Sequence, residues 1–158
     1  MILVQFPIWK KMGTHLMKMP TKKQVLQIVE ALDGAPGIHS ARYAGENATD
    51  EQRYLKLLDD MKGKSNRKAA FECVISIAVP TGSALTYEAR CEGLITTEPA
   101  GSNGFGYDPV FFYAPLNKTF AQITIKEKNR ISHRGKALAE FKSEFDKVLT
   151  WIRQHMPV

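Results

Sequence analysis

Two neighbouring runs of alternating side chains limit the fold more than anything else in this chain. Phe71, Cys73, Ile75, Ile77 and Val79 alternate with Glu72, Val74, Ser76 and Ala78, and Leu85, Tyr87, Ala89, Cys91, Gly93 and Ile95 alternate with more polar neighbours. A period of two sends one set of side chains to one face of a strand and the other set to the opposite face. Pro80-Thr81-Gly82-Ser83 between the runs reads as a hairpin connection. The chain must therefore build an antiparallel sheet with one face buried, and something must cover that face.

Helices supply the cover. Thr49-Asp50-Glu51-Gln52 has the spacing of a capping box, and Tyr54, Leu57, Leu58 and Met61 fall on one stripe, closed by Lys62-Gly63. A second capping-box pattern, Thr124 to Glu127, is expected to open one helical turn. A last helix is expected from about Ser132 to about His155, with Leu138, Phe141, Phe145, Val148, Leu149 and Ile152 as its buried stripe. The apolar run Leu26–Leu32 ends in the turn signal Asp33-Gly34-Ala35-Pro36-Gly37. A third strand is expected at Val110–Tyr113. At 158 residues the chain is one α/β domain in size, and it has no apolar run near the roughly 20 residues of a membrane span.

The charge is unevenly spread. The chain has 22 Lys and Arg against 16 Asp and Glu, a net +6, which invites a reading as a nucleic-acid binder. Residues 1–24 hold five lysines and no acid, and the first acid is Glu30. The remaining 17 basic and 16 acidic side chains leave the body nearly neutral, which argues against an RNA-binding protein. The N-terminal segment fits a targeting peptide poorly, because its apolar run Met1–Trp9 precedes Lys10 and Lys11 and the segment lacks Arg and Ser. The expected division is a basic N-terminal segment over 1–28 and an α/β domain over 29–158. Cys73 and Cys91 share phase with apolar residues and read as buried core thiols in a cytoplasmic, reducing setting.

Two stretches carry the chemistry. Gly101-Ser-Asn-Gly-Phe-Gly-Tyr-Asp-Pro109 places three glycines where backbone N–H groups can converge on a bound group, with Phe105 and Tyr107 suited to stacking on a flat base and Asp108 to hydrogen bonding. It is neither a Walker loop nor a dinucleotide fingerprint, and on spacing alone it is equally a turn between strands. The second stretch, Lys126–Arg134, puts Lys128, His133 and Arg134 at the start of a helix, where ordinary helices carry acids. On spacing alone it also reads as a solvated basic turn. Arg42 and His39 say little by themselves, and a hydrolytic triad through Ser40 lacks the required elbow. Phosphates with a divalent cation would demand carboxylates nearby.

Gly34–Gly45, Glu98–Pro109 and Lys128–Arg134 resemble the signature blocks of the Ham1/inosine triphosphate pyrophosphatase family, in order over about 29–150. The resemblance implies an α/β fold with a mixed central sheet, flanking helices and a nucleotide groove between two lobes. It implies Mg²⁺-dependent hydrolysis of ITP, dITP or XTP to the monophosphate and pyrophosphate, usually by a cytoplasmic homodimer. By the same resemblance Phe105, Gly106, Tyr107, Asp108 and Lys128 bind substrate, and His133 with Arg134 reads the base. Nucleic acid and membrane are not expected partners.

The resemblance stops short of the N-terminus. Family members begin with a strand, a phosphate loop and a helix bearing a metal-binding Glu, followed by an Asp-Asp-Ser-Gly block with the catalytic Asp. Lys22-Lys23-Gln24-Val25 stands in place of that block, and Thr14–Lys18 lacks the Asn of the phosphate loop. Residues 1–29 contain no Asp or Glu, so neither the metal ligand nor the general base is found there. The expected fold accordingly lacks the usual N-terminal strand–helix unit, and the catalytic residues are unassigned. The alternative is a non-catalytic purine-nucleotide-binding or dimer-partner protein.

Overall fold

The computed structural model describes residues 21–155, with side chains from Gln27 onward. The apolar run Met1–Trp9 and the phosphate-loop comparison at Thr14–Lys18 lie outside the described residues.

Ten elements follow in order: β1 (Thr21–Val29), β2 (Pro36–Gly37), α1 (Asp50–Asp60), β3 (Lys68–Ala78), β4 (Ala84–Ile95), β5 (Phe111–Tyr113), β6 (Lys118–Thr119), α2 (Ile125–Ile131), α3 (His133–Ser143) and α4 (Phe145–His155). The strands form one sheet in the order β2-β1-β3-β4-β5-β6. Every pairing among the described residues is antiparallel, so this part of the α/β fold is not the mixed sheet that the resemblance implied. β1 crosses position 28 and pairs with β3 along its whole length, Thr21 opposite Ile77 and Val29 opposite Ala69.

The hairpin follows its alternation. Phe71, Cys73, Ile75 and Ile77 of β3 and Tyr87, Cys91 and Ile95 of β4 are buried, whereas Thr86, Glu88, Arg90, Glu92 and Leu94 are exposed. Arg90 pairs across the exposed face with Glu72 at 2.6 Å. Both cysteines lie in the core, and burial pushes the Cys91 thiol above its usual pKa.

The buried face divides into two clusters. Leu57 of α1 and Met61 just beyond its end cover one end, together with Phe71, Tyr107, Val110, Phe111 and Phe120. Ala137, Val148 and Ile152 of α3 and α4 cover the other end, over Cys73, Ile75, Ile77 and Tyr87. α1 starts at the expected box: Gln52 N–H donates to Thr49 Oγ1 at 3.2 Å, and Thr49 N–H to Gln52 Oε1 at 2.8 Å. Arg67 ties this end together, donating to the carbonyls of Ile95 at 2.8 Å and Met61 at 2.9 Å and to that of Thr96.

Two features depart from the sequence reading. The single C-terminal helix is two helices, broken at Glu144. Ser143 Oγ donates to the Glu140 carbonyl at 2.8 Å, a local competitor for a helix acceptor, and Phe145 turns edge-on to Phe141. Gln27 is fully buried on β1, and its side-chain amide has no hydrogen-bond partner among the described residues. Such a group costs about 1–3 kcal/mol of desolvation.

Candidate nucleotide cleft

The glycine-rich loop is moored at its base to the turn that follows β6. Ala100 N–H donates to the Pro109 carbonyl at 2.8 Å, closing the loop, and Asn103 N–H donates to the Ala121 carbonyl at 3.0 Å. Inside the loop two of the N–H groups expected to converge on a bound group are instead taken by two separate carboxylates of the protein. Phe105 N–H donates to Asp108 Oδ2 at 2.8 Å and Gly106 N–H to Asp50 Oδ2 at 2.7 Å. Gly104 is required here. Its φ is +81°, and a Cβ would fall on the Asp108 carboxylate.

Asp108 also pairs with Lys128 Nζ, with only 3% and 13% of the two side chains exposed. This buried, charge-assisted contact joins the loop to α2. The Lys128 ammonium lies 4.5 Å from the centroid of the Phe105 ring and 5.6 Å from that of Phe120. The Arg134 guanidinium carbon lies 5.3 Å from the Phe105 centroid. Two cations thus meet one aromatic ring that is itself 59% exposed.

The corner between α2 and α3 delivers those cations. Thr124 and Glu127 form the expected box at the start of α2, and the bonds that Glu127 accepts from Thr124 hold its carboxyl below the usual range. α2 runs for seven residues, longer than the single turn expected. Ser132 ends it and caps α3, its Oγ accepting from Gly135 N–H at 3.1 Å. The sharp corner brings the Asn129 carbonyl against Gly135 so closely that any Cβ there would strike it.

A cavity of about 980 Å³ opens between loop and corner. Phe105, Lys128 and Arg134 line it, and so do Phe120, Ile125 and Lys142, which the sequence did not single out. Three cations and no carboxylate are among its lining residues. Ile125 is 77% exposed at the first turn of α2. Lys142 lies eight residues beyond Arg134 on α3, a same-face spacing that was available in the sequence.

The other predicted residues stand behind the cleft. Gly106 is half-buried and held by Asp50. Tyr107 is 5% exposed; its hydroxyl donates to the Ser40 carbonyl at 2.8 Å, and burial pushes its phenol well above the usual range. His133 is 4% exposed and stacks on Phe71, ring centroids 4.9 Å apart. Arg42 and His39 are exposed and do not line the cavity. Ser40 serves structure, accepting from Gln27 N–H at 3.0 Å and donating to the Gly37 carbonyl at 2.6 Å. Among the described residues no group of three His, Cys, Asp or Glu could hold a metal ion. No carboxylate is among the residues that line the cleft, so the described cleft itself offers Mg²⁺ no carboxylate ligand.

The Ham1 family profile matches residues 26–144. The chain belongs to the Ham1 family. It is 57% identical over 128 residues to a dITP/XTP pyrophosphatase of Desulfotalea psychrophila, covering 81% of this chain and 57% of the relative. It is 60% identical over 124 residues to a dITP/XTP pyrophosphatase of Syntrophobacter fumaroxidans, covering 78% of this chain and 53% of the relative. The solved structure of the Staphylococcus aureus Ham1 protein superposes with a TM-score of 0.79 at 38% identity, covering 87% of this chain and 72% of that one. The chain spans about half the length of the curated relatives it matches.

Proposed function

We propose that this chain acts on deaminated purine nucleotides as a nucleoside-triphosphate pyrophosphohydrolase, taking ITP, dITP or XTP to the monophosphate and pyrophosphate. The observation that carries this reading is the cleft itself: an exposed Phe105 ring with Lys128 and Arg134 converging on it and no carboxylate in the lining. A flat base lies against the ring. Lys and Arg side chains offer only donors, so these two groups suit the 6-oxo group of a deaminated purine and supply no acceptor to the 6-amino group of adenine. The relatives named for dITP and XTP support the same choice of base.

In this reading Phe105, Lys128 and Arg134 touch the nucleotide. Gly106, Tyr107, Asp108 and His133 shape the walls behind them. The reaction adds water at the α-phosphorus and breaks its bond to the oxygen bridging to the β-phosphate. The cationic cleft binds and orients the nucleotide, and Mg²⁺ belongs to the chemistry that the resemblance implies. A homodimer and a cytoplasmic location come with the same reading, and no helix among the described residues is long and apolar enough to cross a membrane.

The alternative is a protein that binds purine nucleotides without hydrolysing them. Residues 1–29 hold no acid, and the described residues hold no metal-binding cluster. Pyrophosphate release from ITP, dITP and XTP with Mg²⁺, beside ATP as comparator, decides between the two. Turnover of the deaminated nucleotides over ATP supports the hydrolase. Binding of ITP with no release of pyrophosphate supports the alternative, and no interaction at all contradicts both.

A further inference from the structure

Phe105 sits between two glycines of positive φ, +81° at Gly104 and +63° at Gly106. An exposed aromatic on such backbone has wide freedom, which would be costly for a group that must present a flat face to a ligand. Two carboxylates remove that freedom. Asp108 takes the Phe105 N–H from three residues away. Asp50 takes the Gly106 N–H from 56 residues away, at the first residue of α1.

We propose that Asp50 is a positioning residue for the Phe105 platform. It pins the Gly106 N–H from α1 and so fixes the angle at which the Phe105 ring faces Lys128 and Arg134. The assignment rests on the nucleotide reading above and extends it to a residue outside the cleft. Asp50 does not line the cavity, so its effect on a ligand must pass through the loop. Its role is distinct from starting the helix, because Thr49 and Gln52 already form the reciprocal cap. One carboxylate oxygen of Asp50 holds Arg53 at 2.5 Å, and the other is committed to Gly106. A bond from a backbone N–H to a carboxylate is stronger than one to a neutral acceptor, which suits a clamp on a glycine.

Asp50→Ala, Asp50→Asn and Thr49→Ala test this in the full chain. Thr49→Ala weakens the start of α1 without touching Gly106, so it reports what simple loss of stability does. Two readouts are needed: hydrogen exchange at the Gly106 amide, and the Kd for inosine monophosphate by calorimetry. Asp50→Ala is expected to speed Gly106 exchange by about tenfold or more and to weaken nucleotide binding by about three- to tenfold. Asp50→Asn, which keeps an acceptor oxygen, is expected to fall between. Thr49→Ala is expected to lower the melting temperature and move neither readout. Unchanged Gly106 exchange in Asp50→Ala beside intact nucleotide binding overturns the assignment alone, as does a Thr49→Ala protein that loses as much affinity. A native chain that binds no inosine monophosphate overturns the nucleotide reading and the platform role together.

Discussion

The two walls of the cleft hold their functional groups in place by different means. The Gly101–Pro109 loop carries backbone that is open to distortion, and it is fixed by two carboxylates that accept its N–H groups, Asp108 buried and Asp50 exposed. The Lys128–Arg134 corner is fixed by helix geometry, with one serine ending α2 and capping α3. The loop therefore depends on charge at two carboxylates, and the corner on one cap and one close backbone approach. Gly104 makes room for the Asp108 carboxylate, and the Phe105 and Gly106 N–H groups are taken up by Asp108 and Asp50 rather than left open to a phosphate. The cations that line the cavity come from the corner and from α3.

The comparison predicts a graded set of effects. Asp108→Ala is the largest, because it strands Lys128, only 13% exposed, without its partner. Breaking a buried pair from one side costs about 3–5 kcal/mol, and denaturant melts should show it. Gly135→Ala strikes the corner instead. The new Cβ must push the Asn129 carbonyl away, and we expect a loss of about 2–4 kcal/mol in the same melts. If Gly135→Ala proves harmless, the corner is not built by close approach.

The hairpin, α1 and the helical cover were legible in the sequence because each is a local pattern: alternation, a capping box, one apolar stripe. The loop and the corner were legible as places where glycine or basic residues break local rules. What each residue does inside them was not legible. The bond from Gly106 to Asp50 spans 56 positions, and Asp50 on its own reads as an ordinary first-turn acid. His133 has the appearance of a base-reading donor beside Arg134, yet the helix start turns it inward onto Phe71. The two-residue strands β2 and β6 are too short to show a period. Arg67, which looks like one more basic residue after Gly63, proves to be a tie between α1 and β4.

Smaller effects sharpen the same contrast. Ser132→Ala removes the cap of α3 and is expected to cost about 1 kcal/mol, with a modest loss of nucleotide affinity as Arg134 loosens. The smallest effect belongs to the loop side at high pH. Burial holds the Tyr107 phenol protonated beyond its ordinary range, so its contribution to stability is intact below pH ~10 and declines as pH rises toward the folded-state value. Tyr107→Phe should lessen the loss of stability above pH ~10, Tyr43, Tyr54 and Tyr87 keeping their own share of it, while sacrificing the bond to the Ser40 carbonyl at all pH values. Ser132→Ala leaves Tyr107 in place, so the part of the alkaline loss that belongs to Tyr107 should persist in it.

The central claim is that the cleft reads a 6-oxo purine through Phe105, Lys128 and Arg134. Calorimetric titration of the chain with inosine monophosphate and with adenosine monophosphate, repeated on Arg134→Ala, tests it most directly. We expect the inosine nucleotide to bind at least about tenfold more tightly than the adenosine nucleotide, and Arg134→Ala to erase most of that preference. Equal affinities for the two nucleotides, or a preference untouched by Arg134→Ala, would contradict the account.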